Sequence, residues 1–109
     1  MIEIRRYLTP AGKDVVSEWL AKLKDKYARA KITMRIDRLA DGNFGDAKPL
    51  RHGVQELRVD WGPGYRVYYA VIGKQVVLLL CGGDKRKQSS DIERAVEYLK
   101  EYRKRMGIQ

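Results

Sequence analysis

The first six residues after the initiator, Ile2-Glu3-Ile4-Arg5-Arg6-Tyr7, alternate apolar and polar, which predicts a short strand with one buried face. Thr9 followed by Pro10 reads as an N-cap and first helical position. Val15, Val16, Trp19, Leu20 and Leu23 then recur at helical spacing, so a first helix is expected to run to about Lys26. Tyr27 or Ala28, then Ile32, Ile36 and Leu39, predict a second helix, antiparallel to the first across a tight turn at Asp25 to Tyr27 and stopped at Gly42. Gly42 to Gly53 has no period and is broken by Asn43, Gly45 and Pro49.

Beyond Gly53 the period becomes two. Gln55, Leu57, Val59 and Trp61 fall on one face of a strand, and Glu56, Arg58 and Asp60 on the other. Gly62-Pro63-Gly64 predicts a turn into an antiparallel strand, Tyr65 to Ile72. Gly73-Lys74 predicts a second hairpin into Gln75 to Cys81. Val76 to Leu80 is apolar at every position, the signature of a central strand covered on both faces, and Gly82-Gly83 is expected to end it. Ser90 with Glu93 fits a capping box, and Ile92, Ala95, Val96, Leu99 and Tyr102 form the apolar stripe of a last helix. The order is therefore strand, helix, helix, three-stranded meander, helix, without repeats.

Composition agrees with one folded domain over residues 1–109: 44% of residues are hydrophobic, enough for a core. Charge adds more. Lys and Arg number 23 against 14 Asp and Glu, a formal net charge of +9, a field that attracts a polyanion or an acidic protein. Cys81 is alone, so no intramolecular disulfide is expected and a reducing, cytoplasmic compartment fits. The amino-terminal segment lacks the apolar core of a signal peptide, and no apolar run has membrane-spanning length.

Several chemistries are excluded. One His and one Cys cannot supply a zinc site of the usual ligand count, and Gly82-Gly83 lacks the spacing of a phosphate-cradling loop. No cofactor is expected. What remains is basic and aromatic. Arg58 and Arg66 lie on neighbouring strands of the meander and can converge on one surface, with Asp84-Lys85-Arg86-Lys87 rimming a positive cleft. Each feature also has a plainer reading. Arg58 can pair with Glu56 or Asp60, and Lys85 to Lys87 can be a solvated turn. Arg103-Lys104-Arg105 suits the negative end of a helix dipole. His52, beside Arg51, is either a proton-transfer group or an exposed loop residue. Of Tyr68 and Tyr69, one is expected in the core and the other free to stack on a base.

Gly53-Val54-Gln55-Glu56-Leu57-Arg58, Gly64-Tyr65-Arg66-Val67-Tyr68-Tyr69 and Leu80-Cys81-Gly82-Gly83-Asp84-Lys85, taken together, resemble the RelE/ParE toxin superfamily, most closely its HigB-like branch of addiction module killer proteins. The resemblance covers nearly the whole chain. It implies a small α+β RelE-like fold: a mostly antiparallel sheet, two N-terminal helices packed on it and a C-terminal helix. It also implies the toxin of a type II toxin–antitoxin system, either a metal-independent, ribosome-dependent mRNA endoribonuclease or a non-nucleolytic inhibitor of a target such as DNA gyrase. Carried over by position, Arg66 would stabilise the phosphorane-like transition state and Arg58 would bind phosphate, with Lys85 as a further catalytic cation. Arg51, Arg86, Lys87 and Tyr68 would bind RNA. Two departures stand out. No lysine occurs in Val54-Gln55-Glu56, and Ser89, Ser90 and Ile92 stand where related nucleases place a proton donor. Basic-loop lysines or His52 are the substitutes. The implied partners are mRNA, the ribosome and a cognate helix-turn-helix antitoxin, with operator DNA bound only through the toxin–antitoxin complex.

Overall fold

A computed structural model describes residues 2–108. The elements are β1 (Glu3–Arg6), α1 (Val15–Lys22), α2 (Lys26–Ala40), β2 (Ala47–Pro49), β3 (Gln55–Val59), β4 (Tyr65–Ile72), β5 (Val76–Asp84), a 3-10 turn (Lys85–Lys87) and α3 (Gln88–Met106). One five-stranded sheet has the order β1-β5-β4-β3-β2, antiparallel except where β1 runs parallel to β5. The expected fold class holds, with one strand added: β2 forms inside the stretch without a period. Three residues are too few to show alternation, and only the pairing of Ala47 to Pro49 with Leu57 to Gln55 makes them a strand.

The helix boundaries also differ from expectation. Thr9 does not cap α1. Its hydroxyl instead accepts from the Lys13 amide at 3.1 Å in a turn reversed at Gly12 (φ +84°), and Leu8 bridges to Asp14. Asp14 is the cap, accepting from the Ser17 amide at 3.0 Å and the Ser17 hydroxyl at 2.8 Å. The helix ends at Lys22 because Asp25 already serves α2, taking the amides of Tyr27 and Ala28. Nor does the Ser90–Glu93 box form. Asp84 caps the 3-10 turn by accepting from the Arg86 amide, α3 begins directly at Gln88, and the Ser90 hydroxyl donates to the Lys87 carbonyl.

The sheet separates two apolar clusters. On one side Leu57, Val59, Val67, Tyr69, Val77 and Leu79 meet Val16, Leu20, Ile32, Ile36 and Leu39 of α1 and α2. On the other, Tyr68, Ala70, Leu78, Leu80 and Cys81 meet Ala95, Val96, Leu99 and Tyr102 of α3. A register shift between Tyr68 and Tyr69 leaves Leu80 without a partner on β4, which puts Leu80 and Cys81 into the same α3-side cluster. Tyr68 and Tyr69 point to opposite faces, yet both are fully buried, because both faces are roofed by helices.

The strand does not stop at the paired glycines. Gly82 and Gly83 lie within β5, opposite Val67 and Arg66. Their small size serves packing: a Cβ on Gly82 would clash with the Trp19 ring, and one on Gly83 with the Asp91 carboxylate. A glycine in a strand here marks a close approach from each face rather than an end. Gly82→Ala is therefore expected to destabilise the fold by about 1–3 kcal/mol through overpacking, read as a lower midpoint in urea unfolding at unchanged slope.

Burial also governs Cys81, whose thiol is pushed up to about 11, chiefly by desolvation, with Arg94 opposing. The unfolded chain would release this proton near the ordinary value of about 8.5. Stability is thus expected to fall as pH rises from there towards 11, and a disulfide reagent at pH 8 should label Cys81 only after unfolding. Fast labelling of the folded protein would contradict this packing.

Candidate functional site

The hairpin through Gly62-Pro63-Gly64 sets Arg58 directly opposite Arg66 in the register of β3 and β4, on the α3 side of the sheet. The Lys85 amide donates to the Gly64 carbonyl at 2.8 Å, which brings the start of the basic loop over the same hairpin. Arg58, Arg66 and Lys85 line one open cleft of about 360 Å³, together with Asp46 and Asp60. The three residues expected to carry the chemistry thus share one surface.

The two arginines are held differently. Arg58 is half-buried and gripped by Asp46, whose Oδ1 accepts from Nε at 3.1 Å and from Nη2 at 2.7 Å; the Arg58 amide also donates to the Asp46 carbonyl. From α2, Arg35 donates to the Arg58 carbonyl at 2.9 Å and ties this end of β3 to the opposite layer. The expected partners Glu56 and Asp60 do not pair with Arg58. Arg66 is more enclosed, its side chain 14% exposed, and its Nε faces Glu56 Oε1 at 3.8 Å. Glu56 is fully buried, and its other oxygen accepts from the Gln88 side-chain Nε2 at 2.6 Å.

Alternation assigned Glu56 to a solvent face, whereas α3 covers it. A buried carboxylate is tolerable here because a guanidinium and an amide stand against it. Tyr68 belongs to the same enclosed group, opposite Glu56 in the register, with its proton held on by burial first and then by the Glu56 charge. The expectation of a Tyr68 ring free to stack on a base does not fit its complete burial.

The remaining expected residues disperse. Arg86 is exposed and folds back on Asp84 at 2.8 Å, an arrangement that holds the Asp84 carboxyl below its usual range. Lys87 lies on the far side of Asp84 from the cleft, lining a different cavity. Arg51 sits in the turn before β3, at the end of that strand remote from Arg58. Its neighbour His52, in the left-handed region at φ 56°, offers its carbonyl to Arg103. Between Gln88, at the cleft, and Arg103 the helix rises about 22 Å, so His52 and Arg51 are not part of this site. Asp46, Glu56, Gln88 and Arg35 were missed by sequence reasoning. Of these the sequence singles out only Glu56, as a possible partner of Arg58 and not of Arg66.

The arrangement suits a phosphate. Two adjacent guanidinium groups offer several donors to its oxygens, and Lys85 has no ion-pair partner among the described residues. Arg66 is held before any ligand arrives by donating from Nη1 to the Tyr65 carbonyl at 3.1 Å, with the Glu56 charge 3.8 Å from its Nε. Removing Glu56 (Glu56→Ala) would leave Arg66 and Gln88 facing an empty buried site. The expected loss is about 3–5 kcal/mol in chemical denaturation, against at most about 1 kcal/mol for Asp46→Ala at its exposed pair.

Three comparisons place the chain among known proteins. The family model described as Phage derived protein Gp49-like (DUF891) matches residues 18–102. An uncharacterized protein of Haemophilus influenzae is 54% identical over 77 residues, 71% of this chain and 78% of that protein. Among solved structures, a double arginine-to-alanine mutant of E. coli toxin RelE in the free state matches with a TM-score of 0.65 at 18% identity, covering 88% of this chain and 95% of the RelE chain. The architecture is thus an α+β RelE-like fold.

Proposed function

We propose, for a chain that belongs to the Gp49-like (DUF891) family of phage derived proteins and has a RelE-like fold, that it is the toxin of a type II toxin–antitoxin system. In this reading it is a HigB-like, metal-independent endoribonuclease that cuts mRNA on the ribosome in the cytoplasm. The observation that carries the reading is the direct opposition of Arg58 and Arg66 in a cleft shared with Lys85.

RNA brings its own nucleophile. The 2′-oxygen gives up its proton and bonds to the adjacent phosphorus, the bond to the 5′-oxygen breaks, and that oxygen takes up a proton. The products are a 2′,3′-cyclic phosphate and a free 5′-hydroxyl. Negative charge builds on the phosphoryl oxygens during attack. A guanidinium already held by the Tyr65 carbonyl beside the Glu56 charge stabilises that charge without reorganising at the moment of reaction. Arg58 and Lys85 hold the phosphate in register with Arg66. The cognate antitoxin, a small helix-turn-helix protein encoded next to the toxin, lies over this basic face and blocks it. Operator DNA is bound only through that complex.

Mapping transcript ends after brief induction tests the reading. Cuts registered to codons within translated messages are expected. Arg66→Ala should abolish both cutting and growth arrest, a loss of at least about 100-fold for a group stabilising transition-state charge. Because it strips buried Glu56 of its partner, it is read beside Arg66→Ala/Glu56→Gln, which leaves no lone buried charge, with the folding of both checked by circular dichroism. A folded Arg66→Ala protein that still arrests growth would sink the assignment. Intact messages with double-strand DNA breaks would favour the gyrase-inhibitor alternative.

A further inference from the structure

Across the end of β5 from the cleft lies a second cavity, of about 330 Å³, at the low end of the size range of ligand sites. The two cavities adjoin. Arg66 lines the first and its register partner Gly83 the second, while Lys85 lines the first and Asp84 the second.

The second cavity is built from three chemically distinct parts. Trp19 supplies an indole wall, positioned by the close approach of Gly82 on one side and by the Tyr65 ring 6.4 Å away. Lys22 and Lys87 are exposed at its edge, and neither has a carboxylate within ion-pair distance among the described residues. Lys13 and Arg94, by contrast, are matched to Glu18 and Asp91. Asp91 is 4% exposed, and its Oδ2 has no hydrogen-bond partner. That oxygen is itself buried and packed against Gly83, so the carboxylate forms part of the cavity's structure and is not a contact open to a ligand.

We propose that this cavity is a nucleotide subsite, with a nucleobase stacked on Trp19 and its phosphate held by Lys22 and Lys87. The proposal rests on the reading of the adjoining cleft as the site of the scissile phosphate, and makes this cavity the seat of a neighbouring nucleotide of the same strand. The chemistry is complementary part by part. An aromatic face takes a base, and unpaired ammonium groups take a phosphate. It also gives Lys87, which the Arg58–Arg66 cleft does not include, a role in the same RNA path.

Equilibrium binding of a short 2′-O-methyl oligoribonucleotide, which cannot be cut, tests this on the whole protein. Lys22→Glu and Lys87→Glu are each expected to weaken binding about tenfold, and Lys22→Glu should add to the effect of Arg66→Ala. Lys74→Glu, in the hairpin at the opposite end of β5, makes the same change in net charge and should have little effect. In an NMR titration with AMP, the Trp19 indole resonance should shift while that of Trp61 stays in place. Lys22 and Lys87 variants that bind like the parent, or no weaker than Lys74→Glu, would overturn the proposal, as would a silent Trp19. A parent that binds at Trp19 but cuts no message would keep the subsite and remove the nuclease reading. Cutting that is indifferent to Lys22 and Lys87, with parental binding in both variants, would do the reverse.

Discussion

Strand β5 is covered on both faces, by α1 from one side and α3 from the other, and this two-sided burial organises the molecule. Val77, Leu78, Leu79 and Leu80 are all buried, and a side chain of that kind contributes about 1.5–3 kcal/mol when fully removed from water. No exposed ion pair in this chain competes with that scale. The same constraint reaches the end of the strand, where both layers still press in. Only glycine fits at 82 and 83, because Trp19 closes from one face and Asp91 from the other. The consequence is spatial: α1, the hairpin before β4 and the beginning of α3 are drawn to a single end of the sheet. The cations that matter are gathered there.

Charge alone does not make a site of that place. Two guanidinium groups directly opposite each other repel, and each needs a local carboxylate to stay. Asp46 serves Arg58 at the surface, where the pair is cheap and exchangeable with a ligand. Glu56 serves Arg66 in the interior, where a lone charge would be costly. In the proposed nuclease the two arginines would therefore differ in kind: Arg58, in an exposed pair, is free to exchange Asp46 for a phosphate, and Arg66 is enclosed before binding. A mobile group for capture beside a fixed one for charge stabilisation is the division of labour that phosphoryl chemistry uses. Much of the remaining positive charge lies elsewhere. Arg103, Lys104 and Arg105 close the last turn of α3, far along that helix from the cleft.

The sequence by itself determined the element types and most of their order. A period of two and a period of 3.6 are local properties, and a turn such as Gly62-Pro63-Gly64 sets the register between the two strands it joins. From that register the opposition of Arg58 and Arg66 could be read, together with the nearness of Lys85. Tertiary structure decided what covers each face. Alternation sorts Glu56, Arg58, Arg66 and Tyr68 onto one side of the sheet but carries no information on where α3 begins. That single fact buries Glu56 and Tyr68 while leaving Arg58 half open. It decided likewise that Gly82-Gly83 continues a strand, since the reason for two glycines there lies in Trp19 and Asp91, residues from elements on opposite faces. Local pattern records which way a side chain points. Whether it meets water, a helix or an opposite charge depends on residues distant in the chain, and only packing brings those together.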